Sequence, residues 1–165
     1  MWKWLMLAAA LGGQGGCVRQ HPADRPVQVE MAAGSPCWLD EAASGAVAFW
    51  RARGAGLTFD PGDDVLPIQL HEVQDREDGI VGVYWTIELG EKIGIWFDPY
   101  GERYTPAARA CVMAHEMGHA LGLRHVSVRG DLMSERASEP VDGECAWTDR
   151  DRAEYERATG MRPNI

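Results

Sequence analysis

One eleven-residue segment, HEMGHALGLRH at positions 115–125, constrains this chain more than any other feature. His115 and His119 are four residues apart, so on a helix their side chains lie on one face and can bind the same metal ion. Neutral imidazole is a good zinc ligand, and a catalytic zinc takes three protein ligands and keeps one position open. His125 supplies a third imidazole. The segment therefore predicts a helix that carries a metal site.

The other fixed positions of the segment have separate roles. A straight helix would carry His125 away from the metal, so the chain must turn before it. Gly122 can make this turn, because glycine adopts the left-handed conformation that ends helices without a Cβ penalty. Glu116 follows the first ligand and is suited to act as a general base on a metal-activated water. Two unrelated helical histidines would need neither Gly122 nor His125, and three of the chain's five histidines fall in this segment.

The segment resembles the long zinc motif of the metzincin metallopeptidases at every fixed position. Met133 follows His125 by eight residues, an interval similar to that of the methionine turn in the matrixin, or matrix-metalloproteinase-like, branch. The chain departs from the usual matrixin pattern at Val126 and at Ser134-Glu135. Because no tyrosine lies two residues past Met133, the additional tyrosine ligand of astacin-like and serralysin-like members has no candidate.

The resemblance implies an α+β, metzincin-like catalytic domain with a small mixed twisted sheet, an active-site helix, a methionine turn and a C-terminal helix. It implies a zinc-dependent endopeptidase that holds one Zn²⁺ through His115, His119 and His125. Glu116 would be the general base and acid, Met133 a hydrophobic floor, and a protein or peptide the substrate. An extended substrate would lie along an edge strand, either residues 93–97 or the neighbouring strand. No loop identifies ligands for the structural Ca²⁺ that matrixins often bind.

Periodicity and turn residues predict the order of elements around this motif. Thr105 and Pro106 are suited to begin the zinc helix as cap and first helical residue. Thr148 with Asp151 indicates a capping box that begins a last helix, which Gly160 ends. The remaining predicted elements are a strand at 27–31, a helix at 40–53 and strands at 65–73, 80–89 and 93–97.

The N-terminus is typical of an export signal. A short charged start precedes an apolar run that is too short to span a bilayer, as in a secretory signal. Small residues before Cys17 resemble a bacterial lipoprotein signal, although Gln14 stands where such signals usually have a leucine-like residue. Ordinary cleavage near Ala10 or Gly16, giving a freely secreted protein, is the alternative. We expect a signal at 1–16, a tether at 17–26 and the peptidase domain at 27–165, with membrane attachment only through the N-terminal lipid.

The cysteines leave the disulfide pairing open. If Cys17 carries lipid, Cys37, Cys111 and Cys145 remain. Export makes a disulfide chemically possible, but sequence alone cannot give the pairing. Cys37 and Cys145 each lie just before a predicted helix, which favours that pair and leaves Cys111 as a possible buried free thiol.

Charge and ligand chemistry limit the function classes. The net charge of −9 argues against a nucleic-acid partner, because nucleic acids select basic surfaces. The length after signal removal is that of one domain, and we expect a monomer. The alternative function is an exported zinc-binding surface lipoprotein that acts as a non-catalytic binding module, although Glu116 is still present. A purely structural zinc is disfavoured, because such sites prefer four protein ligands.

Overall fold

The computed structural model describes residues 27–31, 33–60, 65–70, 82–87, 90–95, 104–135 and 143–164. The expected signal and tether at 1–26 lie outside these residues. Within them, no helix is long and apolar enough to cross a membrane. The elements in chain order are β1 (Val27–Met31), α1 (Cys37–Ala52), β2 (Leu57–Thr58), β3 (Val65–Leu70), β4 (Gly82–Ile87), β5 (Gly90–Ile95), α2 (Pro106–Ala120) and α3 (Asp149–Thr159).

The strands form one mixed sheet in the order β2-β1-β3-β5-β4. β1 is parallel to β2 and β3, and β3 is parallel to β5. β4 is antiparallel to β5, with Tyr84 opposite Ile93. The predicted α+β class with a small mixed sheet is confirmed. Of the two strands named as candidates for the edge, the neighbour β4 lies at the edge and β5 lies inside the sheet.

Trp50 of α1 joins the three helices. Its side chain is fully buried, and its indole Nε1 donates a hydrogen bond to the carbonyl oxygen of Ala114 in α2 at 2.8 Å. The indole also stacks on Tyr155 of α3, with ring centroids 5.9 Å apart. α1 and α2 approach closely at Gly45, where a Cβ atom would lie 2.9 Å from the Cβ of Ala110. These contacts fix the helix that carries the metal motif against its two neighbours.

The predicted helix ends are largely present. The Thr105 side chain accepts a hydrogen bond from the Ala108 amide, and Pro106 is in the first turn of α2. Thr148 and Asp151 form a capping box at the start of α3. Gly160, with φ +71°, ends that helix in the left-handed conformation.

Two elements begin earlier than the sequence predicts. α1 begins at Cys37 rather than residue 40, because the buried side chain of Leu39 extends its apolar face by a turn. β5 begins at Gly90, three residues before the predicted start. The two-residue strand β2 was not predicted, because it is defined by long-range pairing with β1 rather than by local pattern. The predicted strand residues 71–73, 80–81, 88–89 and 96–97 lie outside the described residues.

The predicted pairing of Cys37 with Cys145 is wrong. The structure joins Cys111 of α2 to Cys145, with Cα atoms 5.2 Å apart, and leaves Cys37 as an exposed free thiol. The prediction relied on the position of each cysteine beside a helix start, which says nothing about distance in space. Cys111, predicted as a possible free thiol, is the partner, because the fold brings it close to Cys145 although 34 residues separate them in the chain.

Candidate metal centre

The three histidines of the motif converge on one point. His115 and His119 lie one turn apart on α2, and their Nε2 atoms are 3.0 Å apart. The chain leaves α2 and turns at Gly122, whose φ of +91° is left-handed, as the sequence predicts. This turn brings His125 back, so that its Nε2 lies 3.2 Å from both other Nε2 atoms.

Backbone carbonyls orient two of the three rings. Nδ1 of His115 donates to the carbonyl oxygen of Leu132 at 2.6 Å, and Nδ1 of His119 donates to that of Leu123 at 2.8 Å. Because a carbonyl oxygen can only accept, each Nδ1 carries the hydrogen and each neutral ring presents its Nε2 lone pair. Metal-binding histidines are commonly held in this way. The lone pairs face one another, an arrangement that a bound cation would stabilise.

Burial keeps these rings in the neutral form that binds metals. Desolvation and the neighbouring His119 hold the pKa of His115 well below its usual value. Desolvation lowers the pKa of His119 to about 4. It also lowers the pKa of the partly buried His125, while the nearby Glu135 acts in the opposite direction. All three imidazoles are therefore neutral at pH 7.

The geometry of the three nitrogens fits zinc. A tetrahedral zinc with bonds of about 2.0–2.1 Å to imidazole separates two ligand nitrogens by about 3.3 Å. The observed separations of 3.0–3.2 Å are close to this value. Within the described part of the chain, this is the one group of histidine, cysteine and acidic residues with such spacing. Three nitrogen ligands leave a fourth position for water or substrate.

Glu116, the predicted general base, belongs to the same helical turn as the first ligand. Its side chain is 1% exposed, so its carboxylate lies in the protein interior. A carboxylate beside a metal-activated water can carry a proton without competing as a fourth ligand. Glu116 is accordingly outside the ligand cluster.

Met133 packs directly against the ligand helix. It is fully buried, and its neighbour on α2 is Gly118, which precedes the second ligand. A Cβ atom at Gly118 would lie 2.7 Å from Met133 Sδ and 3.1 Å from the Trp50 ring. Only glycine at position 118 therefore lets Met133 and Trp50 lie this close to the backbone of α2. The role of Gly118 was not predicted, because no local sequence pattern indicates its contact with the distant Met133.

Asp151 fixes the methionine turn to α3. Its carboxylate is fully buried and accepts hydrogen bonds from the amides of Leu132 at 3.1 Å and Met133 at 3.0 Å. The same Leu132 supplies the carbonyl that holds His115. On the other side of the turn, the Val126 amide donates to the carbonyl oxygen of Met133 at 2.8 Å. Asp151 was predicted as a capping residue, and its bonds to the methionine turn were missed.

Comparison with known proteins gives one family model that matches this part of the chain. The family model described as matrixin matches residues 84–157, which include the whole metal motif and Met133. A search of curated proteins finds no significant match.

Solved structures of myroilysin share the fold. One aligns with a TM-score of 0.54 at 12% identity, covering 84% of this chain and 81% of that chain. A second aligns with a TM-score of 0.57 at 11% identity, covering 86% of each. At such identities the likeness concerns the fold alone. The matrixin model therefore matches the part of the chain that carries the metal motif, and the fold is similar to that of myroilysin.

Proposed function

We propose that this chain is an exported zinc-dependent endopeptidase. The observation that carries the proposal is the convergence of three Nε2 atoms, two of them on rings anchored through Nδ1 to backbone carbonyls. A preformed triangle of neutral imidazoles with a free fourth position is suited to catalytic zinc. The matrixin family match supports a protein or peptide as substrate.

The chain's own residues have distinct roles in hydrolysis. Zinc at the three histidines would supply Lewis-acid polarisation of the scissile carbonyl and acidify a water molecule. Glu116 accepts a proton from that water and later delivers one to the leaving amine. His115 and His119 stay fixed through the Leu132 and Leu123 carbonyls, so the site needs little rearrangement as charge develops. The edge strand β4 offers backbone groups that can pair with an extended peptide.

The substitution Glu116→Gln tests the catalytic role. Glutamine keeps the volume of this buried side chain but cannot take up the proton. We expect peptide hydrolysis to fall by about 10²–10⁴-fold, the usual contribution of a general acid–base group. The zinc content of the variant, measured by atomic emission, should equal that of the wild type. A chelator should abolish the activity of the wild type.

Two results would contradict parts of this proposal. Hydrolysis by Glu116→Gln at the wild-type rate would remove Glu116 from the mechanism. A wild-type protein that binds zinc fully yet cleaves nothing in a diverse peptide library would favour the non-catalytic binding module.

Export with a lipid anchor is the second part of the proposal. The apolar N-terminal run and Cys17 support it, as does the Cys111–Cys145 disulfide, since such bonds persist mainly outside the cytoplasm. In a bacterial host, radiolabelled palmitate should label the wild type and not Cys17→Ser, and the variant should leave the membrane fraction. Equal labelling of both proteins would exclude lipidation at Cys17.

A further inference from the structure

α3 presents a row of charged side chains toward the metal motif. Asp151, Glu154 and Arg157 are spaced by three residues and so lie near one another along one side of the helix. Asp151 holds the methionine turn, as described above. The other two residues reach the opposite part of the site, the turn at residues 122–124 that connects the second ligand to the third.

Both side chains bind backbone groups of that turn. The Arg124 amide donates to Glu154 Oε1 at 2.7 Å, and Arg157 Nη2 donates to the carbonyl oxygen of Gly122 at 3.1 Å. The two side chains are also joined to each other, through Arg157 Nε and Glu154 Oε2 at 2.7 Å and through Nη2 and Oε1 at 2.5 Å. We call this pair, Glu154 with Arg157, the α3 clamp.

The residue between the two clamped groups is Leu123, whose carbonyl orients the second ligand. Its oxygen accepts the hydrogen bond from His119 Nδ1 at 2.8 Å. The third ligand, His125, directly follows Arg124 in the chain. A shift of this turn would therefore rotate the His119 ring and displace His125 together.

Glu154 and Arg157 have the charges that these contacts require. Burial would raise the pKa of Glu154, but the hydrogen bonds from Arg157 and from the Arg124 amide outweigh it and lower that pKa. The hydrogen bond to Glu154 raises the pKa of Arg157. Glu154 is therefore a carboxylate acceptor at neutral pH, and its side chain is only 14% exposed. The Arg157 side chain is 45% exposed, so the ion pair itself contributes little stability, and its role is to hold the two backbone groups in place.

We propose that Glu154 and Arg157 are positioning residues for the metal ligands His119 and His125. The inference rests on the metal centre of the proposed function and adds to it a support that touches neither metal nor substrate. Removing a group that hydrogen-bonds a metal-binding histidine commonly weakens metal affinity by about 10–100-fold. The α3 clamp acts one step further out, through the Leu123 carbonyl and the backbone, so we expect an effect of about 10-fold.

The chain supplies a matched control on the same helix. Arg152 and Asp149 form another pair three residues apart, at 3.4 Å, and their side chains are 41% and 98% exposed. Among the described residues, this pair makes its contact within α3 and no hydrogen bond to the metal motif. Asp149→Asn should therefore behave as the wild type in metal binding.

The test measures metal release and metal geometry in the full chain without any peptide substrate. For Glu154→Gln and Arg157→Gln, transfer of zinc to a chelator should be about 10-fold faster than for the wild type and for Asp149→Asn. The visible absorption bands of the cobalt(II)-substituted protein should also shift, because they depend on ligand geometry. Urea unfolding of the metal-free proteins separates these effects from a loss of stability.

A charge exchange distinguishes positioning from simple ion pairing. The double variant Glu154→Arg/Arg157→Glu keeps an ion pair on α3 but presents a cation to the Arg124 amide and an anion to the Gly122 carbonyl. If the two residues position the turn, the double variant should release zinc as fast as the single variants do. Recovery of the wild-type release rate in this variant would overturn the proposal.

The remaining outcomes are also decisive. Unchanged zinc release and cobalt spectra in both single variants, with a zinc-binding wild type, would overturn only the positioning role. A wild-type protein that binds no zinc would overturn the metal centre and the positioning role with it.

Discussion

Gly118 shows how a single missing side chain sets the separation between the ligand helix and the methionine turn. The position lies between the two helical ligands and faces both Met133 and Trp50. The sequence indicates the two helical ligands because His115 and His119 are related by helical spacing alone. The requirement at Gly118 arises from residues that are distant along the chain, so only the structure shows it.

Gly118→Ala should destabilise the fold even though alanine is the better helix former. Alanine gains about 1 kcal/mol in a helix interior. The added Cβ would meet Met133 Sδ at 2.7 Å and Trp50 at 3.1 Å in a filled core, which costs about 1–3 kcal/mol. We expect a net loss of about 1 kcal/mol in the free energy of unfolding, measured in urea.

The background Met133→Ala supplies the control for this substitution. With the sulfur removed, Gly118→Ala should cost little or become stabilising, so the two changes should be non-additive. Strict additivity would mean that the contact between Gly118 and Met133 does not limit the packing.

At the scale of elements, α3 organises the site although it supplies no metal ligand. Its capping box could be predicted because Thr148 and Asp151 have the required spacing. The second set of bonds, from the amides of Leu132 and Met133 to Asp151, spans 19 and 18 residues and leaves no local signal. Short-range sequence patterns thus predict where α3 begins but not its hydrogen bonds to the methionine turn.

Asp151→Ala should destabilise the protein strongly. Removing the carboxylate leaves the buried amides of Leu132 and Met133 without their acceptor, and each such loss costs about 1–3 kcal/mol. We expect a loss of about 3 kcal/mol in urea unfolding, with weaker zinc retention because Leu132 also holds His115. Asp149→Ala, at a 98% exposed side chain, should cost less than about 1 kcal/mol. Similar losses in both variants would contradict this assignment.

The pair Asp131–Arg150 predicts an acid dependence of the same contact between α3 and the methionine turn. Arg150 donates to both carboxylate oxygens of Asp131, at 2.6 and 2.9 Å, and thereby lowers the pKa of Asp131. The folded protein favours the ionised carboxylate, so its contribution is present above the unfolded pKa of about 3.9 and is lost as pH falls through the lower folded value.

The stability of Asp131→Asn relative to the wild type measures this dependence. The difference in unfolding free energy should be constant between about pH 5 and 7 and should shrink below about pH 4. The conservative variant Arg150→Lys should keep part of the effect. A difference that grows with acidity would contradict the assigned direction of the pKa shift.

At the scale of the whole molecule, the sequence predicts best those features that depend on residues close together along the chain. The ligand triad, the caps and the order of the main elements all follow from spacings of a few residues. The disulfide and the strand β2 depend on contacts between distant segments, so local pattern gave the wrong cysteine pair and no β2. The sheet order β2-β1-β3-β5-β4 likewise follows from chain crossovers that only the family resemblance could anticipate.

Opening the disulfide should lower the stability of the entire domain. Cys111 and Cys145 are 34 residues apart, and closing a loop of that length stabilises by about 4 kcal/mol in the chain-entropy model. Cys145→Ser should therefore lower the midpoint of urea unfolding, and a reductant should then have no further effect. Cys37→Ser, at the exposed free thiol, should match the wild type in oxidising buffer. A wild-type midpoint for Cys145→Ser would show that the bond contributes nothing.

This disulfide also closes a covalent ring that contains all three ligands, Glu116 and Met133. Residues 127–130, between His125 and Met133, are exposed and lie inside the ring. An exposed loop is where cleavage of the backbone by a protease begins. A single cut there would leave both pieces linked through Cys111 and Cys145. Nicked molecules should run as one band on a denaturing gel without reductant and as two bands with it.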